Sequence, residues 1–216
     1  MPDLLTIAKD IESFGADGIT IHPRPDERHV RYADIPALKE VVKTELNVEG
    51  NPTERFMQEV LRHKPHQCTL VPDSPSSLTS DQGWNTIKEK SFLTDIVKEL
   101  KANGIRVSIF LDPSSEMVEG AAAIGADRIE FYTGPYALLF ATNPGLAIEP
   151  HISAALTAEA TGIGLNAGHD LNLINLKYYA SHVPGLLEVS IGHALVCDAL
   201  YYGLANIVGM YKNQLR

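Results

Sequence analysis

The sequence predicts an α/β protein built as a parallel barrel, and three observations lead there. Short apolar runs alternate with stretches of helical period along the whole chain. Glycines stand where helices hand over to strands, as in Gly15-Ala16-Asp17 and Gly125-Ala126-Asp127, with Gly104, Gly162 and Gly185 in similar places. Glycine there supplies the left-handed cap that turns the chain back into a sheet. His or Glu stands at the end of one apolar run after another, where a barrel carries its chemistry.

The elements follow in order. Leu4, Ile7, Ala8, Ile11 and Phe14 recur at helical spacing up to Gly15, and the strand Gly18 to His22 follows. A second helix opens at Asp34-Ile35-Pro36 with Asp34 as its cap, and leads to the strand Leu46 to Glu49. Thr53 caps a third helix carrying Phe56, Met57, Val60 and Leu61, before the strand Gln67 to Val71. The polar stretch from Asp73 to Lys90 reads as a long loop, a length associated with function. A fourth helix, Phe92 to Ala102, precedes Val107 to Leu111, and a fifth, Ser114 to Ile124, precedes Arg128 to Tyr132. A sixth, Leu146 to Ala160, precedes Gly164-Leu165-Asn166, and a seventh, Asn172 to Ala180, precedes Leu187 to Ile191. The last helix runs from Ala194 to Lys212.

That makes seven strands and eight helices, with a helix first. A (β/α)8 TIM barrel begins with a strand, so the simplest reading is a single barrel domain over residues 1–216 whose first strand is absent from this chain. An open doubly wound sheet is the alternative. Against it, no early Gly-rich dinucleotide fingerprint occurs.

Composition narrows the partners. The formal net charge of -9 argues against nucleic acid, whose phosphates demand basic patches. No apolar run is long enough to span a bilayer and no signal peptide is visible, so cytoplasmic residence is expected. The two cysteines, Cys68 and Cys197, have no paired spacing and read as buried apolar residues. No Cys/His cluster suggests a metal, and His22 to His29 lacks zinc spacing.

The strand ends supply the candidates: His22, Glu49, Pro72-Asp73, Asp112, Glu130, Asn166 to His169, and Gly192-His193. His22 opens a loop with Arg24, Arg28 and His29, which reads either as an anion site or as a solvated turn with Arg–Asp pairing. Glu49 suits a general base, or half of a structural ion pair. His169, in Asn-Ala-Gly-His-Asp, suits a general acid or base, or a histidine bonded to its own loop. Gly192-His193 opens the last helix directly after the last strand, where backbone N–H groups hold phosphate. His63, His66, His151 and His182 lie near helix ends or bottom-face connections and read as structural.

Taken as a set, Gly18 to Arg24, Asp26 to His29, Asn47 to Glu49, Thr69 to Pro72, Leu165 to His169 and Ile191 to Ala194 resemble the pyridoxine 5′-phosphate synthases of vitamin B6 biosynthesis, in order along essentially the whole chain. The resemblance implies condensation of 1-deoxy-D-xylulose 5-phosphate with 3-amino-2-oxopropyl phosphate by acid–base catalysis, with no cofactor and with inorganic phosphate released. It implies His22 and Glu49 as proton acceptors and His169 as the donor. Arg24, His29 and Thr79 would bind the deoxyxylulose phosphate, and Gly192 and His193 the phosphate of the amino ketone. Glu130 would assist. Asp170, where other members often have Gly, would contact the second substrate. The resemblance also implies a homo-oligomer, an octamer of barrels. The family's first strand and the loop after it contribute to both substrate sites, and this chain is read as starting after them. A catalytically impaired barrel that binds phosphorylated ligands without turnover is the alternative reading.

Overall fold

A computed structural model describes residues 3–74 and 79–216. Seven parallel strands pair in sequence order in one sheet. They are β1 (Gly18–Ile21), β2 (Glu45–Gly50), β3 (Gln67–Leu70), β4 (Arg106–Leu111), β5 (Arg128–Tyr132), β6 (Gly164–Gly168) and β7 (Leu186–Ser190). The sheet curls into a nearly closed barrel. Across the opening, Thr20 Oγ1 of β1 stands 3.5 Å from Ser190 Oγ of β7. On the outside, Lys212 of the last helix pairs with Asp17 and donates to Gly15 O, which ties the end of the helical layer to the entry of β1.

Ten helices cover this sheet among the described residues. They are α1 (Leu4–Ser13), α2 (Asp34–Val41), α3 (Glu54–His63), α4 (Lys90–Ala102), α5 (Ser115–Ile124), α6 (Gly134–Phe140), α7 (Pro144–Thr161), α8 (Leu176–His182), α9 (His193–Tyr202) and α10 (Leu204–Gln214). Two more helices form than the sequence pattern predicts. The short α6 hides between breaker signals, Gly134-Pro135 at its start and Asn143-Pro144 after it. The expected last helix is divided at Gly203, whose backbone (φ 78°, ψ 144°) leaves the helical region although apolar residues continue on both sides. The seventh predicted helix starts later, at Leu176, because Asn172 Oδ1 accepts from Ile174 N and Asn175 N in a turn of its own. The predicted glycine caps stand as read: Gly15, Gly104, Gly125, Gly162 and Gly185 all have positive φ.

Side-chain alternation along the strands separates two interiors. Outward residues such as Leu46, Val48, Cys68, Leu70, Val107, Ile109, Ile129, Phe131 and Leu165 are fully or almost fully buried beneath the helices. Helix residues including Ile35, Leu38, Phe56, Val60, Leu93, Leu100 and Val118 meet them there. The apolar core is therefore the ring between sheet and helices. Inside the barrel, hydrogen bonds and ion pairs fill the space. At the strand starts, Arg106 pairs with Glu45 and donates to Gln67 Oε1 at 2.8 Å, and Arg128 pairs with Glu188 at 2.7 Å and reaches Asn166 Oδ1 at 3.2 Å. One level up, Thr69 donates to Asn47 Oδ1 at 3.1 Å. The next level belongs to the site.

Cys68 is buried, as its apolar setting predicts. Cys197 is exposed, against expectation, because α9 buries none of its residues. His151 is also misplaced by the sequence reading. It lies inside α7, nearly fully buried, with Nδ1 2.9 Å from the Tyr179 hydroxyl and its ring edge-on to Phe131 and Tyr136.

Candidate active site

The strand ends bring the predicted residues together at one mouth of the barrel. His22 follows β1 and Glu49 lies at the end of β2, with His22 Nδ1 3.9 Å from Glu49 Oε2. Both side chains are mostly covered, at 16% and 17% exposure. Burial lowers the proton affinity of His22 to a pKa of about 4, helped by the Arg24 charge. Burial raises the Glu49 carboxyl to about 7, and the His169 charge opposes that rise. At neutral pH His22 is thus an unprotonated imidazole, and Glu49 gives up its proton near the pH at which it would work. Asn47 Nδ2 stands 3.5 Å from Glu49 Oε1 and 3.4 Å from Thr20 Oγ1, which steadies the carboxylate from below.

Glu130, in the middle of β5, is buried. Its carboxyl is pushed well above the usual carboxylate range by burial, by Glu49 and by Glu188, which favours its protonated form. Its Oε2 has no hydrogen-bond partner among the described residues. Its other oxygen lies against Gly168: a Cβ there would come within 2.0 Å of Glu130 Oε1. Glycine is needed at 168 for this close approach.

His169 follows β6 with φ at 95°, a conformation that L side chains rarely adopt. Such a residue costs about 1–3 kcal/mol of backbone strain. Its ring is held at both nitrogens. Nδ1 is 2.7 Å from Asp170 Oδ2, and Nε2 is 2.7 Å from Thr79 Oγ1. Tyr132 meets the ring edge-on at 5.6 Å between centroids. The Asp170 hydrogen bond raises the His169 pKa, partly opposed by burial and reinforced by the charges of Asp170 and Glu49. Nδ1–H donates to Asp170, which leaves Nε2 to exchange a proton at the Thr79 side.

The loop after His22 divides into two parts. Arg24 is buried and turned inward, with NH1 2.9 Å from Asp73 Oδ2 and NH2 3.5 Å from Ser80 Oγ. Ser80 in turn donates to Asp73 Oδ2 at 2.5 Å. Asp26 and Arg28 pair with each other at 2.7 Å farther out, so the solvated-turn reading holds for this half. His29 is exposed, near enough for its charge to be felt at His22. Gly192 and His193 form the exposed first turn of α9, directly above β7. The His193 ring lies back along its own helix, with Nε2 3.6 Å from Cys197 Sγ.

The long loop after β3 is described from Thr79 onward; Pro75 to Leu78 lie outside the described residues. It is anchored where Trp84 N donates to Phe110 O at 2.8 Å and Gly83 N donates to Asp112 Oδ2 at 3.2 Å. Strand-end Asp112 thus supports the loop. Three residues of this region escape motif reading: Ser80, Tyr132 and Thr133. Thr133, fully buried, precedes α6 and touches the backbone on both sides of His169. Its only sequence signal is the Thr-Gly-Pro word after β5, which marks a helix start and nothing more. Among the described residues, no group of three or more His, Cys, Asp or Glu is arranged to hold a metal ion. No helix among them is long and apolar enough to cross a membrane.

Fold and site together define an α/β-barrel with several titratable groups of different proton affinity at the C-terminal ends of its strands. Solved barrels share the fold alone. A 3-keto-L-gulonate-6-phosphate decarboxylase from Vibrio cholerae superposes with a TM-score of 0.65 at 8% identity, covering 98% of this chain and 90% of that one. A phosphoribosylanthranilate isomerase from Thermotoga maritima does so with a TM-score of 0.62 at 12% identity, covering 98% and 93%. Sequence carries the relationship further. The family model described as pyridoxal phosphate biosynthesis protein PdxJ matches residues 1–216, and the chain belongs to that family. A pyridoxine 5′-phosphate synthase of Cytophaga hutchinsonii is 57% identical over 215 residues, covering 100% of this chain and 90% of the relative. One of Bacteroides fragilis is 53% identical over 216 residues, covering 100% and 91%.

Proposed function

We propose that this chain is a pyridoxine 5′-phosphate synthase that joins 1-deoxy-D-xylulose 5-phosphate to 3-amino-2-oxopropyl phosphate. The amine condenses with a ketone, water and inorganic phosphate leave, and the pyridine ring closes. Family membership and the similarity to synthases over the whole chain support the activity. The observation that carries the mechanism is the spread of proton affinities around one mouth: a neutral His22, a Glu49 poised near 7 and a His169 raised by Asp170. A condensation with several proton transfers needs acceptors and a donor that coexist at one pH.

In this reading His22 and Glu49 accept protons, and His169 donates from Nε2. Glu130, whose protonated form burial favours, assists as a hydrogen-bond donor through its carboxyl O–H. Arg24 offers its fork to the deoxyxylulose phosphate, with Asp73 holding it in place. Thr79 and His29 complete that side. The N–H groups of the first turn of α9, at Gly192 and His193, hold the phosphate of the amino ketone. Asp170 acts through His169 besides facing the second substrate. The enzyme works in the cytoplasm, without a cofactor, as a homo-oligomer that by resemblance is an octamer.

The test is direct. Purified protein is incubated with both phosphorylated substrates, and pyridoxine 5′-phosphate is followed by its fluorescence. Product that requires both substrates is the expected result. Ligand binding without product would overturn the proposal.

A further inference from the structure

We propose that Thr133 is a positioning residue for His169, because its one hydroxyl grips both peptide groups that flank this strained residue. The inference rests on the catalytic reading of His169 given above.

Two rotations set where the His169 ring points. The φ angle turns the peptide that carries Gly168 O, and the ψ angle turns the peptide that carries Asp170 N–H. Thr133 holds both. Its Oγ1 donates to Gly168 O at 2.7 Å and accepts from Asp170 N–H at 3.1 Å. Its own N–H donates to the same Gly168 O at 3.3 Å. Between these two peptides sits a histidine with φ at 95°. On release, a non-Gly residue in this region relaxes toward negative φ, and the imidazole swings with it.

The brace is itself well seated. Thr133 is fully buried, and its branched Cβ restricts the hydroxyl to few orientations. It precedes α6, and from the first turn of α6 Tyr136 donates its hydroxyl to Asn175 O at 2.7 Å. Asn175 Nδ2 then reaches Asp170 O at 3.3 Å. The start of α6 thus holds the Gly168 to Asp170 segment from one side and the following turn from the other. Among the described residues the hydrogen bonds of Thr133 go to backbone groups, so its action is through the backbone. His169 N adds a third tie, to Ser190 O at 3.3 Å, which Thr133 substitutions leave in place.

Thr133→Val keeps the shape and removes the hydroxyl, and Thr133→Ser keeps the hydroxyl. The expected result is a kcat about 10- to 100-fold lower for Thr133→Val, with KM for each substrate within about threefold of the parent, since a misplaced group lowers the chemical step. Thr133→Ser should stay within about threefold of the parent in kcat. The same Val substitution in a His169→Gln background should cost nothing further, because the group it positions is gone. A Thr133→Val enzyme with parental kcat, while His169→Gln is inactive, overturns the positioning role alone. A loss in Thr133→Ser as large as that in Thr133→Val also overturns it, since the retained hydroxyl would then be of no use and a general disturbance of the packing would be the cause. Full activity of His169→Gln overturns the reading of His169 and this proposal together. Should Thr133→Val fail to fold, Thr133→Ala, which omits both methyl and hydroxyl, takes its place in the same double-substitution comparison.

Discussion

His169 Nδ1 and Asp170 Oδ2 lie 2.7 Å apart, between adjacent residues on a turn whose first member has positive φ. The pair leaves Nε2 at the Thr79 side, the nitrogen that donates in the proposed mechanism. It also holds the imidazole in its protonated form over a wider range, since the hydrogen bond favours the charged ring. Replacing Asp170 by Asn removes that preference. The His169 pKa should then fall toward its ordinary value. Because His169 must carry a proton to donate one, the alkaline limb of the kcat/KM profile should move to lower pH in Asp170→Asn. A profile measured between pH 6 and about 9 checks this, and an unmoved alkaline limb would separate the pair from catalysis.

In the proposed mechanism the acid limb belongs to Glu49. A carboxyl raised to about 7 is mostly protonated below that pH and cannot accept a proton. Activity should therefore rise with pH through a midpoint near 7, well above an ordinary carboxylate. Glu49→Gln should lower kcat by about 100- to 10,000-fold, the range of a lost general base. Rates of the variant and parent across pH, with folding checked by circular dichroism, test both statements.

Gly168→Ala probes the tight approach to Glu130. The added Cβ would fall 2.0 Å from Glu130 Oε1 and 3.4 Å from Ser190 O. Glu130 is buried and cannot step aside freely. The substitution should destabilise by about 1–3 kcal/mol, as overpacking does, and displace the carboxyl at the same time. A fall in both denaturation midpoint and kcat is expected. A variant with parental values in both would show that the contact relaxes at no cost.

Tyr179→Phe should lower stability without lowering kcat. It strips His151 Nδ1 of its partner in a fully buried aromatic cluster behind β5. His151 is neutral there, because burial lowers its pKa to about 4. The loss of a buried partner costs about 1–3 kcal/mol. The unfolding midpoint in urea should fall, while kcat at 25 °C stays within about twofold, an order-of-magnitude allowance for a residue remote from the chemistry. A large change in kcat would mean that the cluster reaches the site.

Much of the fold was legible because its signals are local. The strand order follows from alternation of apolar runs and helices, and the positive-φ glycines mark the turns. What escaped lacks a local signal. Gly203 breaks a helix inside an apolar run, and α6 has too few residues for its period to show. The site was legible as a list of strand ends for His22, Glu49 and His169, whereas Glu130, also read as a strand end, lies in the middle of β5. Their proton affinities were not, because these depend on burial and on neighbours from other strands. The Arg24–Asp73 pair joins residues 49 apart in sequence, and the Thr79–His169 contact joins residues 90 apart. No motif spacing reports such pairs. Thr133 escaped for the same reason: its partners come from the next strand.

The backbone of His169 bears on how this protein tolerates change. Glycine at this position would relieve the strain that histidine sustains, and that relief offsets much of what the lost side-chain contacts contributed. Folding therefore gains less from histidine here than its two hydrogen bonds alone would give. A population of variants sorted by heat resistance alone would drift away from it, and every survivor of that drift would be a sound barrel with an empty hand. Only a selection on the product keeps the residue in place.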